Sequence, residues 1–180
     1  VDQLIKWFTE AFPRESDVTL TIKQSPHCKR RYTYDKRITI IHEDYDRPRY
    51  NALLAAHHCG IFLSGAEGWN LPLNELMAVG RPSICIPWSG PADFTSPETS
   101  WHVPFKLVNA PAITYQSVGK VAFPDKAGTI RAMREAYEDQ LMVAQKALAS
   151  ALRAADYTEA RFAARLRSIV ARYGFQTDFS

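Results

Sequence analysis

The sequence predicts an α/β fold, a doubly wound parallel sheet with helices on its faces and further helices at its C-terminal end. Two short, continuously apolar runs, "CGIFLSG" (59–65) and "SICIP" (83–87), read as strands buried on both faces, the habit of parallel sheets. The eighteen residues from 65 to 82 are enough for a parallel crossover through a helix. Strand-like and helix-like segments also alternate along the chain, as strand–helix–strand units require.

Taken in order, Leu4, Ile5, Phe8, Ala11 and Phe12 recur at helical spacing and Pro13 follows, so an amphipathic helix is expected to end near residue 12. "DVTLTIK" (17–23) alternates like a strand, and "RITIIH" (37–42) forms a second one. Between them the basic stretch "HCKRRYTYDKR" (27–37) carries turn formers and reads as a solvated loop. Pro48 opens a helix marked by Tyr50, Leu53, Leu54 and His57. A short helix is expected from Pro72 to Val79, with proline preorganised for its first turn and Gly80 as a left-handed cap. "HVPFKLV" (102–108) adds a strand that Pro104 confines to an edge. A loop through Phe123 leads to a long helical tract with Ile130, Met133, Tyr137, Leu141, Ala144 and Leu148 on one face. Thr158 caps a last helix whose apolar side is Phe162, Leu166, Ile169 and Tyr173. Residues 1–180 read as one domain. An alternating sheet begins with a strand whereas this chain opens in a helix, so a strand and its turn are expected to precede Val1.

Composition narrows the function classes. With 46% hydrophobic and 23% charged residues in 180, the chain can bury an ordinary core. A net charge of +3 is too small to argue for a nucleic-acid partner. The three cysteines, Cys28, Cys59 and Cys85, have no metal-type spacing, and two lie in apolar runs, which points to a reducing, cytoplasmic setting. No apolar run approaches the ~20 residues that span a bilayer. "HHC" (57–59) reads as a packed helix end rather than a metal site, because adjacent side chains there do not converge on one ion.

The stretch that carries chemistry is "EGWNLPLNE" (67–75), two glutamates bracketing a turn that follows a buried strand. In open parallel sheets ligands bind beyond the carboxyl ends of the strands, which is where Glu67–Leu71 fall. The amides of Gly68, Trp69, Asn70 and Leu71 would sit at a helix N-terminus, where free N–H groups and the helix dipole favour phosphate. Gly68 lets a ligand approach the backbone closely. Glu75, one turn inside the helix, has the geometry to accept two hydrogen bonds from a vicinal diol such as a ribose presents. The plainer reading is that both acids only complement the dipole. Trp88, Ser89 and Asp93 in "WSGPAD" either line the cleft opposite Glu67 or form a turn.

"EGWNLPLNELMAVGRPSICIPWSGPADF" (67–94) resembles the nucleotide-sugar site of retaining glycosyltransferases of the GT-B fold, in particular family 4. Glu67, Gly68, Trp69, Leu71, Pro72, Glu75, Met77, Ala78, Gly80, Pro82, Gly90 and Pro91 fall in register with that family's pattern. At lower specificity the resemblance covers nearly the whole chain, through "VDQLIKWFTEAFP", "PDKAGTIRAMREAYED" and "YTEARFAARL". It implies a Rossmann-like donor domain, one half of a GT-B fold, in which Glu67 contacts the transferred sugar as the catalytic residue. Gly68, Trp69, Asn70 and Leu71 would serve sugar and diphosphate, Glu75 would bind the ribose, and His42 and Glu43 would seat the base. It further implies a nucleotide-sugar donor, no metal, no other cofactor, and an acceptor-binding N-terminal domain outside these residues. Alone, the chain is expected to be catalytically silent. Because many relatives build polysaccharide at the inner face of a membrane, the resemblance leaves room for peripheral attachment of the parent there.

Leu76 stands where the family has alanine, and Asn70 where it often has glycine. The basic pair that neutralises the leaving diphosphate would lie just before Val1. A dinucleotide-dependent oxidoreductase would share the sheet, but no G-x-G-x-x-G follows a strand. A noncatalytic nucleotide-binding or protein-interaction module of the same fold is the main alternative.

Overall fold

The computed structural model describes residues 1–28, 35–110 and 119–173. Helix α1 (Asp2–Ala11) buries Ile5, Trp7, Phe8 and Ala11, and Phe12 beyond it is buried too. The expected stripe is shifted at one position: Trp7 takes the buried place expected of Leu4, which is only half-buried. Strands β1 (Leu20–Lys23) and β2 (Ile38–Ile41) pair in parallel, with Leu20 opposite Ile38. Most of the basic stretch between them lies outside the described residues. Just before β2, Arg37 donates to the carbonyls of Phe12 at 2.7 Å and Glu15 at 2.6 Å, and to the Asp35 carboxylate at 2.7 Å. These bonds fix the end of α1 beside the start of β2.

Helix α2 (Arg47–Ala55) has Pro48 in its first turn, and Asp46 caps it by accepting from the Arg49 amide at 2.9 Å. Strand β3 (Gly60–Phe62), helix α3 (Leu71–Ala78), strand β4 (Ser83–Cys85), helix α4 (Gly90–Phe94) and strand β5 (Ser100–His102) follow. β3, β4 and β5 form a second parallel sheet in that order. β4 is buried throughout, and its neighbouring residues face different helical layers. Ile84 joins the core of α1 and helix α5 (Lys126–Glu138), whereas Cys85 joins a core with Leu73 and Met77 of α3. The chain is therefore a mixed α/β protein with two parallel sheets, in which β4 has helices packed on both faces.

Four expectations need correction. β3 is half-buried rather than buried on both faces, because only one of its edges has a neighbouring strand. Pro104 separates two strands instead of lying in one: β5 ends at His102, and β6 (Phe105–Asn109) pairs in antiparallel fashion with β7 (Lys120–Pro124). The expected loop through Phe123 is thus a strand. The long helical tract is broken at Asp139, whose side chain accepts from the Met142 amide and starts α6 (Gln140–Ala154) afresh. The stripe does not continue across the break, and Leu141 and Leu148 are exposed, while Val143, Ser150 and Ala154 are buried. Thr158 does cap α7 (Glu159–Arg172), but Phe162, Leu166, Ile169 and Tyr173 all face solvent.

Candidate functional site

The loop between β3 and α3 is held from two sides. The Glu67 carbonyl accepts from the Gly90 amide at 3.0 Å and from Ser89 Oγ at 2.7 Å, tying the loop after β3 to the loop after β4. The Gly65 carbonyl accepts from the Ala122 amide of β7 at 2.8 Å. The approach of the two loops is too close for a side chain: a Cβ on Gly90 would lie 2.6 Å from the Gly68 carbonyl oxygen. Ser89 adopts φ 60° to make this approach, a conformation costly for a residue with a Cβ and one that clusters at functional sites.

Asn70 is the hinge of the site. Its backbone is left-handed, at φ 68° and ψ 68°, a conformation asparagine adopts more readily than most residues with a side chain. The buried Asn70 side chain accepts from the Leu73 amide at 3.2 Å and caps α3. Ahead of that cap, none of the amides of Gly68, Trp69, Asn70 and Leu71 donates to a protein acceptor among the described residues. A Cβ on Gly68 would meet nothing within 4 Å. The loop therefore carries consecutive donors without a protein acceptor at the positive end of a helix dipole, with open space on the Cβ side of Gly68.

Trp69 contributes its amide but not its ring. The indole stacks on Phe94 with centroids 4.6 Å apart and meets the edge of Tyr157 at 5.0 Å. The ring is thus a peg that anchors the loop to α4 and the short 3-10 turn at Ala155–Tyr157. Leu71, the first residue of α3, is exposed.

Both glutamates have carboxylates at or near the surface, in different circumstances. The Glu67 side chain has no hydrogen-bond or ion-pair partner among the described residues. Glu75 is paired with Arg47 at the start of α2, a partner 28 residues away that the sequence did not reveal. Burial, and then the Glu75 charge, push the Tyr50 hydroxyl above its ordinary pKa.

His42 follows β2, and its Nδ1 is buried without a hydrogen-bond partner among the described residues. Glu43 is exposed and pairs with Arg49 at 2.9 Å; Arg49 in turn lies 3.8 Å over the Tyr45 ring. The structure thus gathers the Glu67–Leu71 loop with Ser89 and Gly90, and Glu75 with Arg47, while Glu43 is engaged on α2.

The expectation of metal independence overlooks one sequence feature, Asp44-Tyr45-Asp46, an acid pair at the spacing that often seats a metal beside a diphosphate. Asp46 is occupied in capping α2. Among the described residues no three His, Cys, Asp or Glu side chains converge as a metal would require. His57 bonds to the Leu53 carbonyl at 2.7 Å and Thr21 Oγ1 at 2.8 Å, as a packed helix end should. Burial drives the Cys59 thiol up to about 12 and raises Cys85 as well, so neither is a nucleophile at neutral pH. No helix among the described residues is long and apolar enough to cross a membrane. An open cleft of about 410 Å³ lined by Arg153, Arg161 and Arg165 lies at the α6–α7 corner, away from the free amides.

Compared with known proteins, the chain matches no protein-family model and no curated sequence.

Proposed function

We propose that residues 1–180 are the donor-binding half of a retaining glycosyltransferase, a Rossmann-like domain of a GT-B enzyme of the family 4 type, doubly wound in its sheet. The observation that carries this reading is the run of four free amides from Gly68 to Leu71, opening α3 and flanked by Glu67 and Glu75. A nucleoside diphosphate sugar offers chemistry matched to each part. Its diphosphate suits the amides and the dipole, its ribose diol suits Glu75, and its sugar suits the unpartnered Glu67. His42 would stand near the base.

In transfer, the glycosyl–phosphate bond breaks while negative charge grows on the departing diphosphate. Fixed amides that need no reorganisation stabilise such charge in a dry cleft. The acceptor and the second wall of the cleft would come from another domain, so the chain alone is expected to bind a donor without turning it over. In a cell, the parent would work from the cytoplasm, free or against the inner membrane face.

The Arg47–Glu75 pair favours a second reading, in which Glu75 only ties α2 to α3 and the domain is a noncatalytic nucleotide-binding module. Calorimetric titration with UDP, GDP, ADP and their sugar conjugates separates the two. The donor reading requires tighter binding of one nucleotide sugar and a loss of about 10-fold or more in Glu75→Ala, since each hydrogen bond to a charged group contributes about 1.5–3 kcal/mol. Binding indifferent to Glu75→Ala would overturn the donor reading.

A further inference from the structure

A cavity of about 410 Å³ lies outside the site described above, in the open corner where α6, the 3-10 turn and α7 meet. Its charged lining is three arginines, Arg153, Arg161 and Arg165, with a single acid, Asp156. Elsewhere the chain matches such cations with acids: Arg37 pairs with Asp35, Arg47 with Glu75, and Arg134 with both Glu15 and Glu138. In the cleft the ratio is reversed. Asp156 accepts from Arg153 at 3.4 Å and from Arg161, while the Arg165 guanidinium has no hydrogen-bond or ion-pair partner among the described residues. Arg161 and Arg165 stand one turn apart on α7, where like charges repel. The lining thus carries two positive charges that no acid in it compensates, and a bound anion would relieve that repulsion.

The floor of the cleft is held in place before any ligand arrives. Arg153 donates to the Asp93 carbonyl at 3.0 Å, pairs with Asp156, and lies 5.1 Å from the centroid of the Tyr157 ring. The Tyr157 hydroxyl donates to the same Asp93 carbonyl at 3.1 Å, and its ring packs on Trp69 and Phe94. The aromatic cluster that anchors the loop after β3 therefore also fixes Arg153. Arg161 and Arg165 supply the wall from α7, and half of the cation set is left with donors to spare, since a guanidinium carries five N–H groups.

We propose that this cleft is a second ligand site, one that takes a small phosphate monoester. Three features select that ligand. Guanidinium forks match phosphate oxygens bidentately. A monoester carries close to two negative charges at pH 7, which equals the surplus in the lining, whereas a single carboxylate would meet half of it. The cavity also has room beyond a phosphate for the body of a polyol or sugar. The site goes beyond the donor reading and does not depend on it, because it shares no side chain with Glu67, Glu75 or the amides between them.

The test is calorimetric titration of residues 1–180 with glycerol 3-phosphate at pH 7 and physiological ionic strength, where scattered surface charges are largely screened. NMR of the arginine Nε–H groups and the backbone amides reads the place of binding. Shifts are expected at Arg153, Arg161 and Arg165, and none of comparable size at Gly68 to Leu71, so the outcome is separate from success or failure of the donor reading. Arg165→Gln should weaken binding by about 10-fold or more. Arg167→Gln removes the same charge from the same helix outside the lining and should change affinity by less than about 2-fold. Arg165 makes no polar contact within the described fold, so both variants should keep their thermal midpoints within about 2 °C of wild type. A free ester and a lipid headgroup share this chemistry, and vesicles with and without phosphatidate distinguish them: co-sedimentation that needs both phosphatidate and Arg165, without a response to glycerol 3-phosphate, assigns the monoester to a membrane lipid. Equal weakening by Arg165→Gln and Arg167→Gln, succinate binding as tightly as glycerol 3-phosphate, or no binding of either phosphate at millimolar concentration would overturn the proposal.

Discussion

The substitution Gly90→Ala tests how the two loops of the site are joined. The added Cβ would lie 2.6 Å from both the Gly68 carbonyl oxygen and the Trp69 Cα, and 2.8 Å from the Gly68 carbonyl carbon. All are backbone atoms, so no side chain can rotate away and the loops must separate. Such overpacking costs about 1–3 kcal/mol. Separation also weakens the bonds from the Gly90 amide and Ser89 Oγ to the Glu67 carbonyl, each contributing about 0.5–1.5 kcal/mol. Against this, alanine is favoured over glycine by roughly 0.5–1 kcal/mol through chain entropy. The net expectation is a loss of about 2–4 kcal/mol, seen as a lower urea midpoint and a Tm lower by roughly 5–10 °C for a chain of this size. Gly68→Ala is the matched control. It has open space around it, so stability should change by less than about 0.5 kcal/mol while nucleotide binding falls. A Gly90→Ala protein within about 0.5 kcal/mol of wild type would refute the close-approach argument.

Trp69→Ala should destabilise by about 3 kcal/mol in urea denaturation, at the low end for tryptophan because the ring is half-buried between Phe94 and Tyr157; a neutral result would mean the ring is free to stack on a ligand instead. Cys59 and Cys85, both pushed up by burial, should resist iodoacetamide at pH 8 in the native protein and react once it is unfolded, with peptide mass mapping as the readout. Hydrogen bonds from Arg37 and Arg134 hold Asp35 and Glu15 below their ordinary values of 3.8 and 4.5. A carboxyl depressed in the folded state adds stability that is complete above its unfolded value and disappears as pH falls through the folded one. Urea midpoints should therefore drop as pH goes from 5 toward 3, and the slope should be shallower in Arg37→Ala; equal slopes would count against the pairing.

The sequence by itself determined most of what is local. Helical spacing found α1, proline placement found the starts of α2 and α3, Thr158 found the start of α7, and the apolar runs found β3 and β4, because each signal lies within a few consecutive residues. It also marked the turn ahead of α3, where a glycine, an asparagine and a proline precede an apolar helix. Tertiary structure decided what depends on partners distant in the chain. The Arg47–Glu75 pair and the hold of Ser89 and Gly90 on Glu67 leave no periodic trace in the sequence. β7 was hidden because its buried side consists of Ala122 and Pro124, a small residue and a proline, which do not read as a strand pattern. The helix break at Asp139 was hidden by good helix formers on both sides, and only packing turned α6 onto α3. Whether an apolar stripe is core or surface is likewise a tertiary matter: the stripe of α7 has the same period as that of α1, yet only α1 has a sheet to cover.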